Sequence, residues 1–564
     1  MKKYIWIIIL AGISIQLPGQ TGNNELNERI YLQTDKQLYL SGENIRMKLI
    51  TISPERIPLI FSKVAYAELV DDTIGKVQIK VALKNGTGEG LMQVPTNLPT
   101  GNYRLVAYTQ FMRNEGVEVF FEKNVGVINP FRSGHTPSRP EKPMEEHIFP
   151  NIDGNISLQL DKSTYTTREQ GKVILSGLPD HIHTLSISIT GKDPELTHYN
   201  DATSLQNYKL PKPTFHSGKF LPEYEGHIIS GHIVDNQTGE AVTTIPPLNT
   251  GLSFSGEGIE GIRFFTGKNT EEGLVRFFTS GNEGMSQIAT VVYDENEKYR
   301  VDIQSPFITH FAAKTQPALR IDSTYNGQLL ERSVALQVAH YLLEDPFEKR
   351  NIPESTFRIT PTNSYLLDEY TRFSSMREVF IEFIALARFR RIDGTRILST
   401  AVMLGNNVLY YGDRSLVLLN GVPISNHELV FNYNPLLIER INIYNHLLYF
   451  GGSLFEGIVE LKTYRSNSQD FNYDKSIQTF RYESPQSFEK IPYPDYSMEE
   501  NRNSRLPDTR HTLLWKPDVK TDGQSTVALS FSTSDLSGEY QVKAEGLTKE
   551  GKAIYANTSF KVEP

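Results

Sequence analysis

The chain has 564 residues, 38% of them hydrophobic and 22% charged, with 57 Lys and Arg against 66 Asp and Glu for a formal net charge of −9. This length predicts several domains, and the 28 Tyr, 29 Phe, 40 Gly and 30 Pro favour strands and turns. The absence of cysteine excludes disulfides, thiolate metal sites, cysteine nucleophiles and a lipid-modified cysteine, and no basic run is long enough to follow a nucleic-acid backbone.

Residues 1–22 have the layout of a secretory signal peptide. Lys2 and Lys3 precede an apolar run from Tyr4 to Ile15. The alternative is a membrane anchor, but this run is shorter than the roughly 20 residues that a spanning helix needs. We therefore expect an exported protein, periplasmic or associated with the outer membrane, with no transmembrane span in the mature chain.

Residues 27–131 are expected to form a β-sandwich, because short alternating segments are separated by Gly, Pro, Asn and Asp turns. A charged and aromatic pattern near its start returns later at one constant offset. The four matched pairs are Asp35 and Asp161, Lys36 and Lys162, Tyr39 and Tyr165, and Glu43 and Glu169. The repeat predicts a second sandwich at residues 151–225, after a Pro-rich linker at residues 132–150.

The stretch Thr34 to Glu43 reads Thr-Asp-Lys-x-x-Tyr-x-x-Gly-Glu, and it resembles the opening of macroglobulin-like domains in bacterial α-2-macroglobulin-type proteins. A Pro-x-Gly-x-Tyr string from Pro99 to Tyr103 resembles a hairpin entry of the same family. The protease trap of that family depends on a Cys-Gln thioester. Since this chain has no cysteine, that chemistry does not carry over.

A third sandwich is expected at residues 226–315. The stretch Ile229 to Val242 resembles the first hairpin of carboxypeptidase-regulatory-like domains, and Gly273 to Thr279 supplies a later strand of that fold. The resemblance implies a small β-sandwich that serves as a spacer in envelope receptors. Residues 316–372 are expected to be a connector.

Residues 373–465 combine a helix with three apolar strands. Ser375 and Glu378 have capping-box spacing. The pattern predicts one apolar helix face followed by basic residues near the helix C-terminus; the face comprises Val379, Phe380, Phe383, Ile384 and Ala387, and the basic residues are Arg388, Arg390 and Arg391. The strands follow in Ser415 to Ile424, Asn434 to Tyr444 and Phe455 to Thr463.

This order resembles the plug domain of TonB-dependent outer-membrane receptors, although Asn420 stands where that family has Asp. The sequence after Arg465 is too short for a 22-stranded barrel, which needs more than about 200 residues, so we expect a plug-like domain without its own barrel. The resemblance implies an interaction role for the turn and the following strand. The candidate interaction residues are Asn420, Gly421, Val422, Pro423, Ile424, Ile438, Glu439, Arg440, Ile441 and Tyr444.

The remaining sequence is expected to contain a linker at residues 466–506 and a C-terminal Ig-like sandwich at residues 507–564. Four alternating segments with Asp-Gly and Ser-Gly turns predict the strands of this last domain. Trp515 is expected in its core. The predicted fold class is therefore mainly β, with tandem Ig-like or macroglobulin-like sandwiches and one small α/β plug-like domain.

No residue pattern in the chain predicts an active site. Gly256 to Gly261 matches a dinucleotide fingerprint, but the run after it is typical of a strand, whereas that chemistry needs a helix. His181 and His183 could form a metal pair, yet a third ligand is missing and a surface hairpin is the favoured interpretation. We expect no catalytic residues, cofactor or metal.

The sequence therefore predicts a non-catalytic envelope adaptor that associates with an outer-membrane barrel or transport complex through its plug-like domain. Two alternatives remain open at this stage. One is a macroglobulin-type protein that interacts with proteases without a thioester, and the other is a surface adhesin.

Overall fold

The structure, a computed structural model, describes residues 27–132, 156–192, 205, 208–212, 217–255, 262–294, 297–314, 319, 326–342, 359–405, 407–464, 473–486 and 493–564. The expected signal peptide and most of the linker at residues 132–150 lie outside these ranges. Strands dominate the described residues, so the prediction of a mainly β protein is confirmed. No helix within the described ranges combines the length and apolarity needed to span a membrane.

The first sandwich is built from eight strands. They are β1 (Arg29–Thr34), β2 (Leu38–Leu40), β3 (Asn44–Ile52), β4 (Val64–Asp71), β5 (Ile74–Ala82), β6 (Thr87–Gln93), β7 (Gly101–Tyr108) and β8 (Phe121–Ile128). One sheet has the order β1-β3-β6 and the other β2-β8-β7-β4-β5. Apolar residues from both sheets form one buried core.

The next ten strands belong to two further sandwiches. They are β9 (Ser157–Leu160), β10 (Thr164–Thr166), β11 (Gln170–Ser176), β12 (Ile182–Gly191), β13 (Ile228–Asp235), β14 (Asn249–Phe254), β15 (Arg263–Lys268), β16 (Leu274–Phe278), β17 (Met285–Val292) and β18 (Tyr299–Ile303). Helix α1 (Asn326–Leu342) follows. It lies against the first sandwich, where Leu329 is buried beside Leu38 and Leu40 of β2.

Residues 363–464 form the α/β unit. Its elements are β19 (Asn363–Leu366), α2 (Met376–Glu382), β20 (Ala387–Ile392), β21 (Thr395–Leu404), β22 (Asn407–Tyr410), β23 (Leu416–Leu419), β24 (Val422–Pro423), α3 (His427–Phe431), β25 (Ile438–Tyr444), β26 (Leu448–Phe450), β27 (Ser453–Phe455) and β28 (Ile458–Thr463). Its main sheet has the order β19-β25-β28-β23-β24, in which β23 and β28 are parallel.

The remaining elements return to the sandwiches. They are β29 (Ile477–Glu483), α4 (Glu499–Arg502), β30 (Thr512–Lys516), β31 (Thr526–Ser532), β32 (Gly538–Thr548) and β33 (Ala553–Glu563). Trp515 is buried as expected, with 4% of its surface exposed.

The second sandwich is made from two distant parts of the chain. Its sheets have the orders β10-β33-β32-β12-β30 and β31-β11-β9. The prediction of separate domains at residues 151–225 and 507–564 is therefore wrong, since β12 pairs with both β30 and β32. Each half alone would leave the apolar face of its strands exposed to solvent. Together, the two halves enclose one shared hydrophobic core.

The third sandwich also takes a strand from beyond the α/β unit. Its sheets have the orders β16-β13-β18 and β15-β14-β17-β29. Strand β29 falls inside the segment 466–506 that was expected to be a linker, and α1 and β19 fall inside the expected connector at residues 316–372. Both of those predictions are corrected, since β29 pairs with β17, α1 packs on the first sandwich and β19 pairs with β25.

The domains are consequently nested. The α/β unit is inserted between β18 and β29 of the third sandwich, and the third sandwich is inserted between β12 and β30 of the second. The chain rejoins each host by strand pairing, with Ile477 of β29 opposite Val291 of β17 and Leu514 of β30 opposite Ile189 of β12.

The helix predicted from Ser375 is shorter than expected. Ser375 caps the start of this helix, because the Glu378 N–H donates to Ser375 Oγ at 3.3 Å, and Ser375 Oγ in turn donates to Glu378 Oε2 at 2.8 Å. Helix α2 ends at Glu382, so Ala387 and the three following arginines lie on β20 instead. The alternation from Ala387 to Ile392 suits a strand, and β21 pairs with it along its whole length.

Candidate interaction site

The predicted turn between β23 and β24 is present. Asn420 has φ of 50° and Gly421 has φ of 83°, a pair of positive values that suits Asn-Gly in a two-residue hairpin. The Asn420 side chain also bonds to Thr463 of β28, because its Nδ2 donates to Thr463 Oγ1 at 2.8 Å and its Oδ1 accepts from the Thr463 N–H at 3.0 Å. Asn420 thus fixes the turn to the sheet.

This turn faces the third sandwich of the same chain. A Cβ atom on Gly421 would lie 3.3 Å from Ile262 Cγ1. Val422, Pro423 and Ile424 are buried, and the Ile424 N–H donates to the Val417 carbonyl at 2.9 Å. The expectation that Ile424 faces an external partner is wrong, since the inserted unit docks this edge on its host.

Strand β23 lies between two apolar layers, as its sequence predicts. Val417 and Leu419 join the main core of the α/β unit, which also includes Ala289 of the third sandwich. Leu416 and Leu418 join a second cluster. The core of the α/β unit is therefore continuous with its host.

The predicted interaction residues of β25 also contribute mainly to this core. Ile438, Ile441 and Tyr444 are buried, while Glu439 and Arg440 are half-buried. Strand β25 pairs with β19 on one side and β28 on the other, and Arg440 Nη1 donates to Ser364 Oγ at 3.1 Å. The structure places the ten candidate residues in two strands of one sheet and in the turn and first residue adjoining β24, where most of them have a structural role.

The β21–β22 hairpin provides an exposed apolar surface that the sequence analysis missed. Met403, Leu404, Val408 and Leu409 surround its end, with 52%, 58%, 43% and 53% of their surfaces exposed. Short aliphatic segments of this kind ordinarily predict core strands, so the sequence does not indicate that these side chains are exposed. A group of exposed aliphatic side chains at one hairpin end is typical of an interaction surface.

The base of this hairpin is held by hydrogen bonds to the rest of the unit. The Thr400 N–H donates to Ser415 Oγ at 3.1 Å, and Asn445 Nδ2 donates to the Ala401 carbonyl at 3.0 Å. The Tyr411 N–H donates to the Thr400 carbonyl at 3.0 Å. The apolar end is thus presented from a fixed base.

A second exposed hairpin, β26–β27, is attached to the third sandwich. Phe450 stacks with Phe264 of β15 at a ring-centroid distance of 6.0 Å, and Phe455 packs edge-on against the same ring at 6.0 Å. Tyr449 is 76% exposed at its end. One side of this hairpin is therefore anchored and the other faces solvent.

The sequence contains two motifs that were not interpreted as sites: a glycine-rich stretch and a histidine pair. The glycine-rich stretch 256–261 lies outside the described residues, and the following β15 is a strand as expected. His181 is exposed just before β12, and His183 is half-buried. Among the described residues, no group of three His, Asp or Glu side chains is positioned to hold a metal ion.

Comparison with known proteins finds similarity only to solved structures, since no family model and no curated protein matches the chain. Trypsin-activated α-2-macroglobulin from Escherichia coli matches with a TM-score of 0.23 and 10% identity, over 95% of this chain and 41% of that chain. Salmonella α-2-macroglobulin reacted with methylamine matches with a TM-score of 0.21 and 11% identity, over 95% and 39%. The Escherichia coli adhesin FdeC matches with a TM-score of 0.15 and 9% identity, over 51% and 64%. The chain spans about two fifths of the length of these α-2-macroglobulins.

Proposed function

We propose that this protein is a non-catalytic cell-envelope adaptor that binds an outer-membrane barrel or transport complex through its α/β unit. The sequence of that unit resembles the plug domain of TonB-dependent receptors, which implies such a partner. The observation that carries the proposal is the exposed aliphatic end of the β21–β22 hairpin. The sandwiches serve as the scaffold that holds this unit.

The energetics of the hairpin favour a protein partner. Fully burying one Val, Leu or Met side chain contributes about 1.5 to 3 kcal/mol, and four such side chains surround this hairpin end. Association costs several kcal/mol in lost freedom, but a hairpin with a fixed base loses little additional conformational entropy on binding. The proposed binding surface is therefore the end of the β21–β22 hairpin. The turn at Asn420 to Ile424, which the sequence suggested, packs against the third sandwich instead.

Affinity purification from solubilised envelopes, followed by mass spectrometry, tests the proposal. The full-length chain is compared with Leu404→Ser/Leu409→Ser. A matched control is Ile57→Ser/Ile60→Ser, because these aliphatic residues of the first sandwich are 50% and 61% exposed. We expect the control to recover an outer-membrane barrel or transport protein at the wild-type level and the hairpin variant to lose it.

Two results would contradict the proposal. If the hairpin variant and the control recover the same proteins in the same amounts, the hairpin is not the binding surface. If the wild-type chain enriches no outer-membrane or transport protein, the assigned partner class is wrong. Hydrogen exchange of β23 and β28 in each variant checks that the α/β unit remains folded.

A further inference from the structure

A basic groove on the α/β unit lies between α2 and the β20–β21 hairpin. Its volume is about 210 Å³. The lining residues are Arg377, Phe380, Ile381, Arg388, Phe389, Arg390, Arg391, Arg396 and Phe431. Five of the nine are arginines and none is a carboxylate, although the whole chain has a net charge of −9. This concentration of positive charge is therefore local.

The β20–β21 hairpin brings two of these arginines together. A turn at Asp393 and Gly394, with φ of 48° and 86°, joins the strands and sets Arg391 directly opposite Arg396. Directly opposed residues have Cβ atoms about 4.5 to 5.5 Å apart, and like charges at this distance repel. A bound anion would relieve that repulsion.

The Arg396 guanidinium group in the groove is held by neighbouring atoms. Arg396 Nη1 lies 3.1 Å from Glu428 Oε1, and the Arg396 guanidinium lies 3.4 Å from the centroid of the Phe431 ring. Arg390, by contrast, is held outside the groove, because its Nη1 donates to the Tyr411 carbonyl at 2.9 Å and its guanidinium lies 5.6 Å from the centroid of the Tyr410 ring. The contacts of Arg396 orient its guanidinium before any ligand binds.

The other arginines keep their charges available. Within the described part of the chain, Arg377 and Arg391 form no ion pair with a carboxylate, and both are exposed. Glu428 offsets one of the five positive charges. Arg388 and Arg390 lie over the Tyr410 ring, on the strand face opposite Phe389 and Arg391. The groove therefore retains the uncompensated guanidinium groups of Arg377 and Arg391 beside the paired Arg396.

We propose that this groove binds a phosphate monoester, either as a free solute or as the headgroup of a lipid. Planar guanidinium groups form paired charge-assisted bonds with phosphate oxygens, and a dianion suits several arginines better than a single carboxylate does. Phe389 and the half-exposed Ile381 provide apolar surface for the esterified group. The site is separate from the aliphatic end of β21–β22, so it does not depend on the proposed adaptor role.

Binding to the full-length protein can be measured with two probes. Isothermal titration with phenyl phosphate tests the free monoester, and sedimentation with phosphatidylcholine vesicles, with and without phosphatidic acid, tests the lipid headgroup. The variant is Arg377→Gln/Arg391→Gln, and the control is Arg481→Gln/Arg505→Gln, which removes two exposed charges elsewhere. We expect the groove variant to bind at least about tenfold more weakly, since the loss of even one charge-assisted bond lowers the affinity by about tenfold.

The two probes separate the sources of phosphate. Binding of phenyl phosphate by the wild type and the control, with loss in the groove variant, supports a soluble monoester. Binding only of vesicles that contain phosphatidic acid, with the same loss, supports a lipid headgroup. The proposal is overturned if neither probe binds, if both variants weaken binding equally, or if an oligoglutamate peptide competes as well as phenyl phosphate.

Discussion

The Asp-Lys-Tyr-Glu pattern occurs twice and builds the same local structure in both sandwiches. The first tetrad is Asp35, Lys36, Tyr39 and Glu43, and the second tetrad is Asp161, Lys162, Tyr165 and Glu169. In each, the Tyr hydroxyl donates to the Asp Oδ1, at 2.8 Å and 2.7 Å respectively. In each, the Glu accepts from the Lys Nζ and from a backbone N–H three residues before it. The repeated sequence therefore specifies a repeated turn.

The surroundings of the two tetrads differ. Glu43 also accepts from Nε and Nη2 of Arg332 on α1, both at 2.9 Å, and Asp35 accepts from Thr512 Oγ1 of the second sandwich at 2.8 Å. Lys36 and Glu43 have only 6% and 9% of their side chains exposed, against 53% and 23% for Lys162 and Glu169. The first tetrad is thus a joint between domains, whereas the second closes a surface turn.

Burial changes what the same groups contribute to stability. Burial raises the pKa of Glu43, but the Arg332 and Lys36 charges more than offset this effect and hold its pKa well below the ordinary value. The Lys162 bond lowers the pKa of Glu169 with little burial. One motif can therefore be a structural joint in one copy and a weak surface contact in the other.

The sharpest test of this difference is to remove the carboxylate from each tetrad. Glu43→Ala leaves the Lys36 and Arg332 charges without this partner in a buried site, and we expect a loss of about 3 to 5 kcal/mol. Glu169→Ala removes an exposed pair and should cost less than about 1 kcal/mol. Hydrogen exchange of β2 and β3, compared with β10 and β11, measures each effect in the full chain. Equal losses would contradict the comparison.

A second test removes the partner that only the first tetrad has. Arg332→Met keeps an apolar stem but loses both bonds to Glu43, so α1 should open more easily by about 2 to 3 kcal/mol. Faster hydrogen exchange throughout α1 is the expected result. Unchanged exchange in α1 would mean that apolar contacts such as Leu329 with Leu38, and not the ion pair, hold this helix.

Much of the fold could be predicted from local patterns. Alternation identified the strands of the first sandwich and the four strands of the C-terminal segment, and the Asn420–Gly421 pair identified the turn between β23 and β24. The nesting could not be predicted, because the pairing of β12 with β32 joins distant residues such as Ser186 and Glu545, which are 359 positions apart. Alternation shows that a strand has a buried face but not which strand covers it.

The candidate interaction site shows the same limit. The apolar residues of β23 and β25 were correctly assigned to strands, but the resemblance to a receptor plug suggested an outward edge that Ile262 in fact covers. Conversely, Met403 and Leu409 lie in an apolar segment of the kind that usually forms a core strand, yet both side chains are exposed. Whether an apolar segment is covered depends on its neighbours in space, which a single sequence does not contain.

Acid should affect the two tetrads unequally. Both glutamates have pKa values lowered by folding, so their contribution is fully present above the unfolded value near 4.5 and is lost as the pH falls below it. Between pH ~4.5 and ~3 we expect the opening free energy of β2 and β3 to fall by about 2 kcal/mol from Glu43, and that of β10 and β11 by less. Glu43→Gln is the control and should flatten the response. If it does not, other groups cause the acid sensitivity.

Salt should produce the smallest difference, and in the opposite order. Raising NaCl from ~0.1 M to ~1 M shortens the screening length from about 10 Å to about 3 Å. This change weakens exposed pairs such as Lys162 with Glu169 by a few tenths of a kcal/mol, while buried pairs such as Lys36 with Glu43 are shielded from ions. The ratio of exchange rates between β10 and β2 should therefore rise with salt in the wild type. In Lys162→Gln the ratio should stay constant, because the exposed pair is absent; a rise of equal size in that variant would mean that the salt response does not come from the tetrad.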